Sequence, residues 1–275
     1  MKLNLKSGSV YLNTGGVPWQ DDKPWLCLVH GASLDHSVWV LYTRYFARQG
    51  YNVLAPDLPG HGHSEGSVPD SIEAMAEWLD GLFDEIGIAP GSTTNSASDS
   101  PSLSLAGHSM GSLVALHTAS LNPQRFSNLL LLGTAVPMAV GEALLNAAKD
   151  NHHAAVDMVS IFGHSFQSRL GGNPVAGINI LGAGMRLLES AGPGVMYTGL
   201  NACNNYQAGL QAAAQVQARS TLILGENDMM TRPSGAKKLA QTLSAETLLL
   251  PGSGHMMLAE QPESTLQAML KALAD

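Results

Sequence analysis

Six short apolar runs, bounded by turn residues and separated by stretches of helical periodicity, constrain the fold of this 275-residue chain more than any other feature. They are Trp25 to Val29, Asn52 to Ala55, Ser102 to Ala106, Asn128 to Leu132, Thr221 to Leu224 and Glu246 to Leu250. Runs this short that stay mostly apolar read as strands buried on both faces. The clearest helical stretch places Ile72, Met75, Leu79, Leu82, Phe83 and Ile86 at three-and-four spacing, an apolar stripe with acidic residues opposite. Such alternation implies right-handed crossovers and a mostly parallel sheet covered on both faces. In this α/β architecture reactive groups sit at the carboxyl ends of strands.

A sheet covered on both faces needs a large apolar core, and the composition supplies it, with 45% apolar residues against 13% charged. The length fits one large domain or one carrying an inserted lobe. Between Thr134 and Val216 the rhythm breaks, leaving helical patches and no convincing buried strand. Residues 134–216 are therefore read as an inserted cap, and residues 1–133 with 217–275 as the core. Glycines at 171, 172, 177, 182, 184, 192, 194 and 199 favour bends over long rigid helices there. Two readings stay open, a movable lid and a static layer of closely packed helices. The stretch from Ala89 to Ser100, rich in Ser, Thr, Asn, Pro and Gly, is expected to form an exposed loop.

Chemistry is concentrated at three strand ends. Gly107-His108-Ser109-Met110-Gly111 follows one apolar run and precedes the helix-like Ser112 to Leu121. A serine on so sharp a strand-to-helix turn needs small neighbours, and the turn lifts its hydroxyl clear of the sheet. Ser109 is the candidate nucleophile. It needs a base, and the base needs an acceptor to fix its tautomer. His255, in Gly252-Ser253-Gly254-His255, and Asp228, in Gly225-Glu226-Asn227-Asp228, both follow strands and fit those roles. Glu226 competes for the acid role but stands closer to the strand, which ranks Asp228 first. An acyl-transfer oxyanion also needs preorganised donors. The backbone amide of Met110 is one expected donor, and that of Ala32, in His30-Gly31-Ala32-Ser33, the other. Gly31 is expected to let its loop approach the substrate. Met138, Met229 and Met256 lie near strand ends, where pliable thioethers suit an apolar substrate group.

Charge and cysteine usage narrow the partners. Fourteen basic residues against 22 acidic ones give a net charge of -8, with no basic cluster, which disfavours nucleic acid and anionic lipid. No stretch approaches the roughly 20 apolar residues of a membrane span. Met1 to Thr14 alternates polar and apolar residues, reading as a strand pair and not as a signal peptide. Cys27 and Cys203 lack the spacing of a disulfide framework or a zinc site, so a reducing, cytoplasmic location is expected. The expected partner is a small-molecule substrate, and the sequence leaves the oligomeric state open.

Taken together, His30-Gly31, Asp57-Leu58-Pro59-Gly60-His61-Gly62-His63-Ser64, the Ser109 turn, the Asp228 turn and the His255 turn resemble the α/β-hydrolase family over nearly the whole chain. The resemblance implies a mostly parallel eight-stranded sheet, a cap inserted after the sixth strand, and no cofactor. It also implies that Asp57 to Ser64 is a structural turn, so no metal is assigned to Asp57, His61 and His63. Serine at position 109 disfavours the aspartate-based alkyl-enzyme chemistry of haloalkane dehalogenases and most epoxide hydrolases of this fold. The function expected is a serine hydrolase cleaving a small carboxylic ester through an acyl-enzyme. The alternatives are carbon–carbon bond hydrolysis of a vinylogous diketone, with Arg169 or Arg186 holding a substrate carboxylate, and a triad-bearing ligand sensor with little turnover. Lactone, thioester and amide cleavage and perhydrolysis remain open within the enzyme reading.

Overall fold

The computed structural model describes residues 1–5, 8–88, 102–172 and 177–274; the loop expected at Ala89 to Ser100 lies outside them. The strands are β1 (Lys2–Leu5), β2 (Gly8–Asn13), β3 (Trp25–Val29), β4 (Asn52–Pro56), β5 (Leu103–His108), β6 (Phe126–Leu132), β7 (Arg219–Gly225) and β8 (Glu246–Leu250). They form one eight-stranded sheet in the order β1-β2-β4-β3-β5-β6-β7-β8. β1 and β2 pair antiparallel, β2 meets β4 antiparallel, and every pairing from β4 through β8 is parallel.

Pleating sorts the side chains of this sheet into two cores. Cys27 and Val29 of β3 and Leu129 and Leu131 of β6 face one side. Leu26 and Leu28, with Leu130 and Leu132, face the other. Three helices precede the end of β6: α1 (Val40–Arg48), α2 (Ile72–Glu85) and α3 (Met110–Leu121). The first face is covered by α2 and α3, the second by α1 together with the C-terminal helix. The stripe expected between Ile72 and Ile86 is the buried face of α2, which Ser71 caps by accepting a hydrogen bond from the Ala74 amide.

Between β6 and β7 the described residues are helical: α4 (Glu142–Lys149), α5 (Ala154–Gly163), α6 (Phe166–Arg169), α7 (Ile180–Ser190), α8 (Val195–Asn205) and α9 (Gly209–Ala213). Cys203, Tyr206, Ala212 and Ala213, near the end of this excursion, join the core of the first face. The glycines behave in two ways. Gly171, Gly177 and Gly194 take positive φ at bends, whereas Gly182, Gly184 and Gly199 lie inside α7 and α8. Helices therefore run through part of the segment where bends are expected. The chain ends with α10 (Lys237–Thr242), α11 (Met257–Glu260) and α12 (Pro262–Leu273). Among the described residues no helix is long and apolar enough to cross a membrane.

Candidate active site

Ser109 stands between β5 and α3 with φ 54° and ψ −123°, a conformation that costs an L-residue about 1–3 kcal/mol. Neighbouring strands and the helix hold it there. The Ser109 amide donates to the Leu132 carbonyl at 3.0 Å, and the Ser109 carbonyl accepts from the Ser112 amide at 2.8 Å and the Ser112 hydroxyl at 2.6 Å. Steric room explains both flanking glycines. A Cβ at Gly107 would collide with the Gly111 carbonyl, and one at Gly111 with the carbonyls of Val29 and His30. Gly31 is similarly confined, since a Cβ there would stand 3.2 Å from the Ser109 Cβ.

Beyond β7, Asp228 is buried and fully engaged. Its Oδ1 accepts from the amides of Met230 at 2.8 Å and Thr231 at 2.7 Å. Its Oδ2 accepts from the Thr231 hydroxyl at 2.6 Å and from His255 Nδ1 at 2.8 Å. Burial alone would raise this carboxyl, but the His255 charge and hydrogen bond, helped by Thr231, outweigh it and hold Asp228 well below the usual carboxylate range. The bond to Asp228 puts the imidazole proton on Nδ1 and leaves Nε2 as an acceptor. Glu226, the other candidate acid, is exposed and accepts from the Gly252 amide at 2.8 Å, tying its own turn to the His255 turn.

The His255 turn is fixed from behind. His108 Nε2 lies 2.9 Å from the His255 carbonyl, and the two rings are 4.9 Å apart. Burial, aided by the neighbouring His255, lowers His108 to about 3. The ring is therefore neutral at ordinary pH, and Nε2–H donates to that carbonyl. Gly254 permits packing, because a Cβ there would stand 2.5 Å from the Ser165 amide and 2.6 Å from Glu260 Oε1. Sequence reasoning finds neither His108 nor Thr231. The signal for Thr231 is its place three residues after Asp228, within reach of a turn in which the carboxylate caps following amides. His108 carries no comparable local signal, since its partner is 147 residues away.

These elements converge on shared space. Ser109 and His255 both line a cavity of about 250 Å³ and a smaller void of about 20 Å³, and Ala32 borders both. Met110 opens α3, where backbone N–H groups have no carbonyl a turn behind them. Met138 and Met229 line the larger cavity and Met256 the smaller void, while Gly31 borders neither and packs on Ser109 instead. The excursion supplies walls with no counterpart among the residues singled out from sequence: Leu188, Met196 and Leu200. Gly199 of α8 lets that helix press close, because its Cβ would stand 3.0 Å from the Ala32 Cβ and 3.1 Å from Met110 Sδ.

Asp57 belongs to a different arrangement. Its oxygens accept from the His36 amide at 2.7 Å, His36 Nδ1 at 2.8 Å and the His63 amide at 2.9 Å. A Cβ at Gly62 would collide with this carboxylate. Asp35, His36 and Asp57 bring possible ligand atoms within 4.8 Å of one another, but His36 Nδ1 and the Asp57 oxygens are already bonded together. The cluster is explained as the brace of a turn.

The sequence profile described as the alpha/beta hydrolase family matches residues 28–268. The chain is 28% identical over 264 residues to the dihydrolipoyllysine-residue acetyltransferase component of the acetoin cleaving system of Pseudomonas putida, covering 94% of this chain but only 64% of that protein. It is 28% identical over 263 residues to a pimeloyl-[acyl-carrier protein] methyl ester esterase of Aromatoleum aromaticum, covering 88% of this chain and 95% of that one. The crystal structure of an enol-lactonase from Burkholderia xenovorans superposes with a TM-score of 0.83 over 100% of both chains at 20% identity, a likeness of fold.

Proposed function

Because the chain belongs to the alpha/beta hydrolase family, it is a hydrolase, and we propose that it cleaves small carboxylic esters through an acyl-enzyme formed on Ser109. The observation that carries this reading is a serine held at positive φ that borders the same two cavities as His255, whose Nδ1 is bonded to the buried Asp228. In the first half-reaction Ser109 Oγ attacks the ester carbonyl while His255 Nε2 takes its proton. The amides of Ala32 and Met110 face the oxyanion, and the leaving alcohol receives the proton as its C–O bond breaks. Water then repeats the sequence and releases the acid. Asp228 remains ionised throughout, steadying the imidazolium. Residues 134–216 act as the cap over a core made of 1–133 and 217–275, and the two free buried cysteines suit a reducing cytoplasm.

Wall chemistry favours esters over dienoic diketones. Among the described residues no Lys or Arg lines either cavity shared by Ser109 and His255. Arg186 is exposed and paired with Glu189, and Arg169 lies 5.5 Å from the Phe166 ring. A substrate carboxylate would find no cationic partner there. The esterase name of the Aromatoleum relative points the same way.

The test combines fluorophosphonate labelling with steady-state turnover of short aryl esters and of dienoic diketones, in the native chain and in Ser109→Ala. Labelling and ester turnover that both vanish in Ser109→Ala are expected. Turnover confined to the diketones would reject the ester assignment, and labelling without turnover of any ester would favour a sensor.

A further inference from the structure

The two sides of Ser109 are unequal. On one side lies the 250 Å³ cavity bordered by Met138, Phe162 and Met229. On the other, the 20 Å³ void shares Leu34, His108, Leu188 and Met256 with a second chamber of about 340 Å³. This chamber sits between the start of α1, α7 and the α11–α12 corner, represented by Val40, Leu187 and Pro262. Leu41 and Ile178, both more than half exposed, stand at its rim.

The chamber wall carries no Lys, Arg, Asp or Glu among the described residues. Among them the polar side chains are four, Ser37, His108, Ser160 and His164. His108 donates to the His255 carbonyl, and His164 Nδ1 lies 2.9 Å from the Ser160 carbonyl. The Ser160 hydroxyl and His108 Nδ1 are buried and have no hydrogen-bond partner among the described residues, but neither atom is accessible from the open space. Water gains little in such a place, because it needs two to four polar partners. An alkyl chain loses nothing there and leaves water, which is the favourable exchange. At the ~30 Å³ that a water occupies in the liquid, the chamber holds on the order of ten methylene-sized groups. The void between it and Ser109 is about 20 Å³, smaller than one such group, so an alkyl chain reaches the chamber only as Leu34, Leu188 or the pliable Met256 gives way.

Resting on the reading of Ser109 as an ester-cleaving nucleophile, we propose that this chamber binds an unbranched alkyl chain of the ester, threaded past Leu34, Leu188 and Met256. The substrate class is then a medium-chain aliphatic ester, with the smaller group in the cavity bordered by Met138. The chain belongs to either the acyl or the alkoxy side, and the two are separable by assay.

Two substrate series test this on the full chain: p-nitrophenyl esters of linear acids from acetate to dodecanoate, and linear alkyl butyrates from methyl to decyl. Gly184→Leu narrows the chamber from α7. A Cβ there meets only the His164 ring at 3.6 Å, an ordinary contact, and leucine suits a helix interior better than glycine. Ala259→Trp narrows it from the opposite wall. In the native chain kcat/KM should rise about fourfold per methylene in one series until the chamber fills. Both variants should lower the octanoate-to-acetate ratio, or the octyl-to-methyl ratio, at least tenfold without lowering Tm; the series that responds identifies the side. Native-like ratios in both variants, or a flat series in the native chain, overturn the chamber assignment while the esterase reading stands. If no ester of either series is turned over and Ser109 resists fluorophosphonate, both readings fall together.

Discussion

The sheet and the helical excursion between β6 and β7 meet at Ser109 but are built on different terms. In the sheet, Leu129 to Leu132 of β6 and Leu222 to Leu224 of β7 are all but inaccessible. Glycines at 107, 111, 225 and 254 stand where a single added carbon would strike backbone or buried carboxylate. In the excursion, Ile161, Phe162, Phe166, Leu170 and Ile178 are each more than two-fifths exposed. One region has no slack and holds the reacting groups; the other presents soft apolar walls to whatever lies against them. Rigid placement is what an attacking hydroxyl needs, whereas a chain-binding wall tolerates variation.

Breaking the chemistry on the rigid side should produce the largest effect. Ser109→Ala is expected to lower ester turnover by about 10⁴-fold or more with no loss of stability, measured by steady-state kinetics and urea unfolding together. Next in size is the scaffold itself. Gly111→Ala forces a Cβ into the carbonyls of Val29 and His30, so β3 and α3 must separate. A loss of about 3–5 kcal/mol in unfolding free energy is expected. If Gly111→Ala unfolds like the native chain, the picture of a sheet without slack is wrong.

The same contrast decides what was legible from sequence. Strand runs such as Trp25 to Val29 and Asn52 to Ala55 coincide with β3 and β4 because double-sided burial admits little but apolar residues, whereas Glu246 to Leu250 forms β8 at the sheet edge, where only Leu250 is buried. The turns at Ser109, Asp228 and His255 are legible because each follows such a run. His108 is not, because its contact crosses between turns that only the folded sheet brings together, and Thr231 shows in sequence only its local turn to Asp228 and not its approach to His255. The excursion is legible as helical but not in its joints. For Gly199 the sequence leaves a bend and a close helix contact both open, and the structure shows the contact, within α8 and against Ala32 and Met110. Glycine composition does not distinguish a turn from a tight helix contact.

Acid should sharpen the comparison. His61 and His108 are buried on the sheet side, and burial lowers each to about 3. The unfolded chain takes up these protons near pH 6.5 and the folded chain does not, so the stabilisation is complete above pH 6.5 and is lost as pH falls toward 3. The expected slope is about 1.4 kcal/mol per pH unit per histidine, or about 2.7 for both, across pH 6 to 4. Asp228, whose carboxyl is also depressed, adds to the loss only below about pH 4. His153 in the excursion is exposed and raised by its bond to Glu189, so it acts in the opposite sense and weakly. Burial also lowers His30, His117 and His164, so unfolding free energies from urea titrations of the native chain and of His108→Gln across this range should show the variant's slope smaller by about 1.4 kcal/mol per pH unit. Smaller again is Thr231→Val, which removes one of the four donors to Asp228. A fall of about tenfold in kcat with KM unchanged is expected.

The smallest effect on stability should come from the soft side, and it tests whether the two regions are separable. Phe162 on α5 borders the cavity shared with Ser109 while remaining 43% exposed. Phe162→Ala removes little buried surface, so unfolding free energy should change by about 0.5 kcal/mol or less. The wall it leaves open should raise KM for apolar esters a few-fold while kcat stays near native, since the Phe162 ring takes no part in the hydrogen bonds that hold Ser109, Asp228 and His255. Leu131→Ala in β6 is the matched probe of the rigid side, where a fully buried leucine packs against the helices and a loss of about 2–5 kcal/mol is expected. If Phe162→Ala instead destabilises as Leu131→Ala does, the excursion is part of one cooperative unit with the sheet, and its apolar walls owe their positions to that unit and not to the substrate they face.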